Sequence, residues 1–124
     1  MRFVIHDHII ENRHFDLMIE MQDQELLITW RIMSSDMDLL LKGSEIKAFR
    51  IQDHEKYFLN YEGSLSSGNG FVKFFDFGES ELIKKSNDNI IFTLSGQVLT
   101  GTLHIKLLKE KIYKIKYFPE YAIE

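Results

Sequence analysis

The chain contains no cysteine, one proline, one tryptophan and only seven glycines in 124 residues. Without cysteine, neither a disulfide framework nor a thiolate zinc site can form, and the absence of thiols fits a reducing compartment. A single proline leaves the backbone free to run in uninterrupted ladders. No basic-then-apolar segment opens the sequence, and no apolar run approaches the roughly 20 residues that a bilayer requires. The expectation is a soluble, cytoplasmic protein with no membrane contact. Surplus positive charge is missing too, since the formal net charge is −4 at pH 7. That weighs against a domain that coats nucleic acid non-specifically, though not against one that grips a strand end through a local basic patch.

What is present is a β pattern. Ten phenylalanines and many isoleucines are set in short alternating runs, the composition of half-buried strands. Phe3 to His8 alternates, with Phe3 and Ile5 pointing one way and Val4, His6 and His8 the other. Phe15, Leu17, Ile19 and Met21 alternate with His14, Asp16, Met18 and Glu20. Further strands are expected over Glu25 to Ile32, Glu45 to His54, Phe71 to Phe77, Glu79 to Lys85, two from Ile90 to Leu107 joined near Ser95-Gly96-Gln97, and Lys111 to Phe118. Met33 to Gly43 reads as a helical turn or an irregular loop. Tyr57 to Tyr61 reads as a short aromatic segment, and Ser64 to Gly70 as a plain connection or a phosphate-cradling loop. The lysines from 106 to 116 read as a solvated face or a nucleic-acid patch. One domain over 1–124, built as a compact all-β antiparallel barrel of about eight short strands with little helix, is the architecture this predicts.

The stretch with chemistry in it runs from His8 to Asp16. If the first two strands pair as a hairpin, His8 meets His14 and Asp16 across the ladder. Two neutral imidazoles and one carboxylate are a donor set for a divalent metal with open positions. The plainer alternative is a group of polar residues on the solvated face of a hairpin. His54 ends a later strand, and the alternation of that strand puts Arg50 on its face.

In order along the chain, these residues resemble the 3′-phosphoesterase domain of bacterial DNA ligase D. Phe3-Val4-Ile5, His8, His14-Phe15-Asp16 and Glu20 match its opening F-V-I-x-x-H, five residues, H-Y-D-x-R-x-E. Trp30 stands at the family's tryptophan, Arg50-Ile51-Gln52-Asp53-His54 at its R-V-E-D-H, and Tyr61-Glu62-Gly63 at its F-E-G. Phe71 to Asp76 is similar to its V-I-V-W-D strand, Phe92-x-Leu94-x-Gly96-x-x-Leu99-x-Gly101 to its F-x-L-x-G-x-x-L-x-G, and Ile112 to Lys116 to its closing W-L-L-I-K. The resemblance spans nearly the whole chain and marks a free-standing, divergent relative.

It implies a barrel that binds Mn2+, or another divalent metal such as Zn2+ or Co2+, through His8, His14 and Asp16. It implies trimming of the 3′ ends of DNA or RNA–DNA strands, removing a terminal ribonucleoside and then the 3′-phosphate, with a ligase or polymerase partner supplied in trans. His54 becomes a phosphate contact or general acid, and His6, where the family has glutamine, orients substrate or a metal-bound water. The departures are Met18 for the family's arginine, Phe58 for its tyrosine, Met33-Ser34-Ser35 for its P-K-G, and a shorter glycine-rich loop. Arg50, Arg31 or Lys47 would have to compensate, with Arg50 best placed. A non-catalytic module that binds metal or nucleic-acid ends is the alternative. A cupin-like enzyme built on His6-x-His8 is a third reading, without the cupin glycine and glutamate spacing.

Overall fold

Alternation does most of the folding here. In the computed structural model, which describes residues 1–120, it resolves into β1 (Arg2–Ile9), β2 (His14–Ile19), β3 (Leu26–Met33), β4 (Ile46–Glu55), β5 (Gly63–Ser64), β6 (Phe71–Lys85), β7 (Asn89–Gly96), β8 (Thr100–Lys109) and β9 (Ile112–Pro119). The strand order is β1-β2-β3-β4-β9-β8-β7-β6, and β1 also pairs antiparallel with β6, which closes the sheet into an eight-stranded barrel. The two-residue β5 adds to β6 beside the seam. Closure removes the unpaired edges that an open sheet would expose. Among the described residues no helix is long and apolar enough to cross a membrane.

One side chain in two points inward. Phe3, Ile5, Leu17, Ile19, Trp30, Ile32, Phe92, Leu94, Leu103, Ile105 and Ile115 fill the barrel interior and are buried. Each large apolar side chain so buried contributes roughly 1.5–3 kcal/mol. The alternate residues Val4, Met18 and Leu27 form a second, smaller cluster with Leu59, against which Phe58 and Phe74 pack. It lies on the outer face of β1, β2 and β3 and is roofed by residues 58 and 59.

Several elements differ from the pattern in the sequence. Phe71–Lys85 is one continuous strand, not two separated at Gly78. Gly78 is there for close approach: it sits in register with Phe3 on one side and Gly96 on the other, and a Cβ would overlap the Ser95 carbonyl oxygen. Residues Lys56–Asn60 form a 3-10 turn, so Tyr57 and Phe58 are not turned to opposite faces; their rings stack at 4.2 Å. Met33 to Gly43 takes its helical option, as a turn Ser34–Asp36 followed by helix α1 (Met37–Leu41) that buries Met37 and Leu40.

The β3–β4 ladder carries a bulge. Thr29 pairs with Ile51 but Leu27 with His54, so one extra β4 residue is accommodated between them. Such a residue inverts the alternation beyond it. Arg50 therefore points inward over Trp30, 5.6 Å from the ring centroid, while His54 points outward with Leu27.

Candidate metal centre

The hairpin register sets His8 opposite His14 and His6 opposite Asp16. Because side chains alternate along a strand, all four lie on the outer face, beyond the small cluster. His14 and Asp16 are buried and His8 nearly so, its side chain 13% exposed. The polar face of the hairpin is thus covered, not solvated.

Three donor atoms converge. His8 Nδ1 lies 3.0 Å from His14 Nε2, His14 Nε2 lies 3.4 Å from Asp16 Oδ2, and His8 Nδ1 lies 3.8 Å from the same oxygen. A cation about 2.1 Å from each donor sets them about 3.0 Å apart at right angles and about 3.4 Å apart at tetrahedral angles. The spacing fits one divalent ion.

The outer nitrogens fix what those donors are. His14 Nδ1 is 2.8 Å from the Asn12 carbonyl oxygen and His8 Nε2 is 2.7 Å from the Asn69 carbonyl oxygen. A carbonyl only accepts, so both outer nitrogens carry hydrogen, and in the neutral rings the two facing nitrogens present lone pairs. Two imidazole lone pairs and a carboxylate oxygen thus point at one another, and only a cation or a proton between them relieves the repulsion. Backbone carbonyls that orient ligating histidines in this way are the usual outer support of a metal site.

Asp16 has its second oxygen engaged, since Arg31, its cross-strand partner, donates Nε to Oδ1 at 3.2 Å. Burial pushes the Asp16 carboxyl up, but the hydrogen bond that a doubly protonated His14 donates from Nε2 and the Arg31 charge outweigh it and hold the group below the usual carboxylate range, whereas in the neutral His14 ring Nε2 offers its lone pair instead. The Arg31 side chain makes no other hydrogen bond among the described residues, so its terminal nitrogens remain for an anion. A pocket of about 60 Å³, room for a few waters, is lined by His6, His8, Asp16, Arg31, His54 and Phe58 among others. On the other side of Arg31 an open hollow of about 700 Å³ runs past His14 and Gly68.

Of the residues singled out in the sequence, His8, His14 and Asp16 come together, and His6 and His54 line the same pocket. His54 Nδ1 is 2.8 Å from the Gln52 carbonyl oxygen, which leaves Nε2 without its hydrogen in the neutral ring. His6 is buried between Phe58 and Phe74, its Nε2 lacks a partner, and burial lowers its pKa to about 4, opposed chiefly by the Asp16 charge. Arg50 is elsewhere: its terminal nitrogens engage the Ile51 carbonyl at 2.5 Å and Asp53 at 2.6 Å, and it borders a separate pocket with Gln22, Gln24 and Lys85. The bulge is the reason, and Arg31 occupies the position expected of Arg50. Met18 is buried in the small outer cluster.

The sequence pattern did not reveal the Asn12 and Asn69 carbonyls, because a backbone acceptor has no residue signature. Nor did it reveal Asp76, which accepts from the backbone N–H groups of Phe77, Gln97, Val98 and Leu99 and so ties the β7–β8 turn. No protein-family model matches the chain, and no curated protein matches it.

Proposed function

We propose that this chain is a metal-dependent phosphoesterase that removes a 3′-phosphate or 3′-ribonucleotide from nucleic-acid ends, with Mn2+, Zn2+ or Co2+ held by His8, His14 and Asp16. The observation that carries this reading is the convergence of two oriented imidazole lone pairs with an ionised carboxylate beside a histidine-lined pocket. When bound, the metal supplies charge neutralisation at the phosphate and a more acidic water. The chain's own groups supply the rest. Arg31 offers its free terminal nitrogens to the phosphoryl oxygens. His54, held through Nδ1, takes up a proton at Nε2 and delivers it to the leaving oxygen. His6 stays neutral, so it adds no charge that would repel the metal. The order of sequence motifs along the chain resembles the phosphoesterase domain of bacterial DNA ligase D and points to strand ends as substrate. On the same reading the protein works in the cytoplasm beside a ligase or polymerase acting in trans.

The deciding experiment is a manganese-dependent assay on a primer ending in a 3′-phosphate or a 3′-ribonucleotide. Product is expected from the wild type, with a loss of about 10²–10⁴-fold in His54→Ala. No product above that of an Asp16→Ala control would sink the proposal.

A non-catalytic module is the second reading, favoured by one observation. Met18 and Phe58, where the ligase family has arginine and tyrosine, belong to the same apolar cluster, so two phosphate-gripping groups have been replaced together by packing. On that reading manganese and 3′-phosphate DNA bind without turnover, and Met18→Arg with Phe58→Tyr gains activity.

A further inference from the structure

Far from the metal centre, the outer face of β8 and β9 collects positive charge. Lys47 of β4 stands directly opposite Lys114 of β9, and Lys114 directly opposite Lys106 of β8. Lys116, two residues on from Lys114, stands opposite His104. Lys47, Lys106 and His104 are exposed, Lys114 and Lys116 partly so. Like charges directly opposite one another across a ladder are destabilising. Only Lys114 finds an acid among the described residues, Glu45 at 3.2 Å. A row of three lysines in register on a chain of net charge −4 calls for an anionic partner.

An aromatic platform continues the row. Phe118 is 44% exposed, with the Lys116 ammonium 5.2 Å and the His104 ring 4.6 Å from its centroid. Beside it lies an open groove of about 400 Å³ lined by Thr93, Ser95, Thr102, Phe118 and Glu120 among others. That volume suits a flat, hydrogen-bonding group of nucleobase size. Glu120 at the groove and Glu81, opposite Thr93, mark the side that phosphates avoid.

We propose that this face binds single-stranded nucleic acid, with phosphates along Lys47, Lys114, Lys106 and Lys116 and a base stacked on Phe118 in the hydroxyl-lined groove. Cations tracking a backbone beside an exposed ring that takes any base are the two parts of a sequence-tolerant single-strand site. A fluid anionic membrane surface would use the lysines but has no use for the groove. In the barrel, β9 and β8 lie across from β1 and β2, so the face holds a part of the strand remote from its reacting end. In taking nucleic acid as the natural ligand this rests on the proposed function, but the binding does not.

The test is fluorescence anisotropy with a labelled oligo-dT ending in a 3′-hydroxyl, in EDTA, so that no metal chemistry enters. Wild type is expected to bind, with log K falling against log salt at a slope near −3, as about four phosphate contacts require. Lys106→Ala with Lys116→Ala should weaken binding at least tenfold and make the slope shallower by about 1.4. Phe118→Ala should weaken it without changing the slope. Because the titration runs in EDTA without turnover, a failure of the phosphoesterase reading leaves this result standing. No binding by the folded wild type, equal binding by the lysine pair variant, or capture by phosphatidylserine vesicles in place of the oligonucleotide would each overturn the assignment.

Discussion

At the scale of single residues, Asp16 and His6 face each other across the ladder and differ in what burial does to them. Asp16 is buried with a guanidinium and two imidazoles around it and stays ionised below the usual range. Asp16→Asn keeps the shape and removes the charge. It should lower manganese affinity in calorimetry by more than about 100-fold, beyond the 10–100-fold typical of losing an outer support. His6 is buried beside two phenylalanine rings, and its pKa falls to about 4. The unfolded chain therefore binds more protons than the native one between about pH 4 and the unperturbed value of about 6.5. The stability due to a neutral His6 is complete above that window and is lost as pH falls through it. A shift from 6.5 to about 4 corresponds to about 3 kcal/mol at the acid limit. Urea titrations of the metal-free protein at pH 7 and pH 4.5 should show the wild type losing about 2–3 kcal/mol more than His6→Gln. Equal losses would mean that His6 is protonated in the fold.

At the scale of elements, the hairpin was legible and its supports were not. Period-2 alternation in Phe3 to His8 and His14 to Met21 placed His8, His14 and Asp16 on one face, and the ladder has that register. The bulge in β4 was not legible, because one extra residue between Ile51 and His54 leaves no mark in composition, yet it sends Arg50 inward and His54 outward. The 64–70 loop read as a plain connection or a phosphate cradle. Its Asn69 carbonyl instead holds His8 Nε2. Gly70 makes this approach possible with φ +76° and its Cα so near the Ile9 carbonyl that a Cβ would overlap it. Gly70→Ala should therefore lift the loop and cost about tenfold in manganese affinity while most of the barrel's stability remains, measured by calorimetry beside a thermal melt. The other turn to test is β7–β8. Asp76→Ala strands four backbone N–H groups and should destabilise the protein by about 3 kcal/mol or more in denaturant titration.

At the scale of the whole molecule, the interior core and the candidate metal centre occupy opposite faces of the same strands, so a metal held there would sit outside the core that builds the barrel. Any ligand that binds only the native state stabilises it by mass action, about 2.7 kcal/mol at 100 times its Kd. For a domain of this size that raises Tm by roughly 10 °C. Manganese should do so for the wild type, EDTA should reverse it, and Asp16→Ala should show no shift. The closed barrel was legible from its count of short alternating runs, but which strands close it was not, because no local pattern pairs the first strand with one from the middle of the chain. That closure has a consequence for synthesis. Phe3 finds one neighbour in Ile19 early, but its other neighbour is Gly78. A nascent chain exposes one edge of an apolar strand, Phe3-Val4-Ile5, until β6 has left the ribosome. Non-local pairing of this kind folds slowly and leaves a template for aggregation while it waits, so yield on expression should depend on temperature and chaperone supply more steeply than the stability of the finished barrel would suggest.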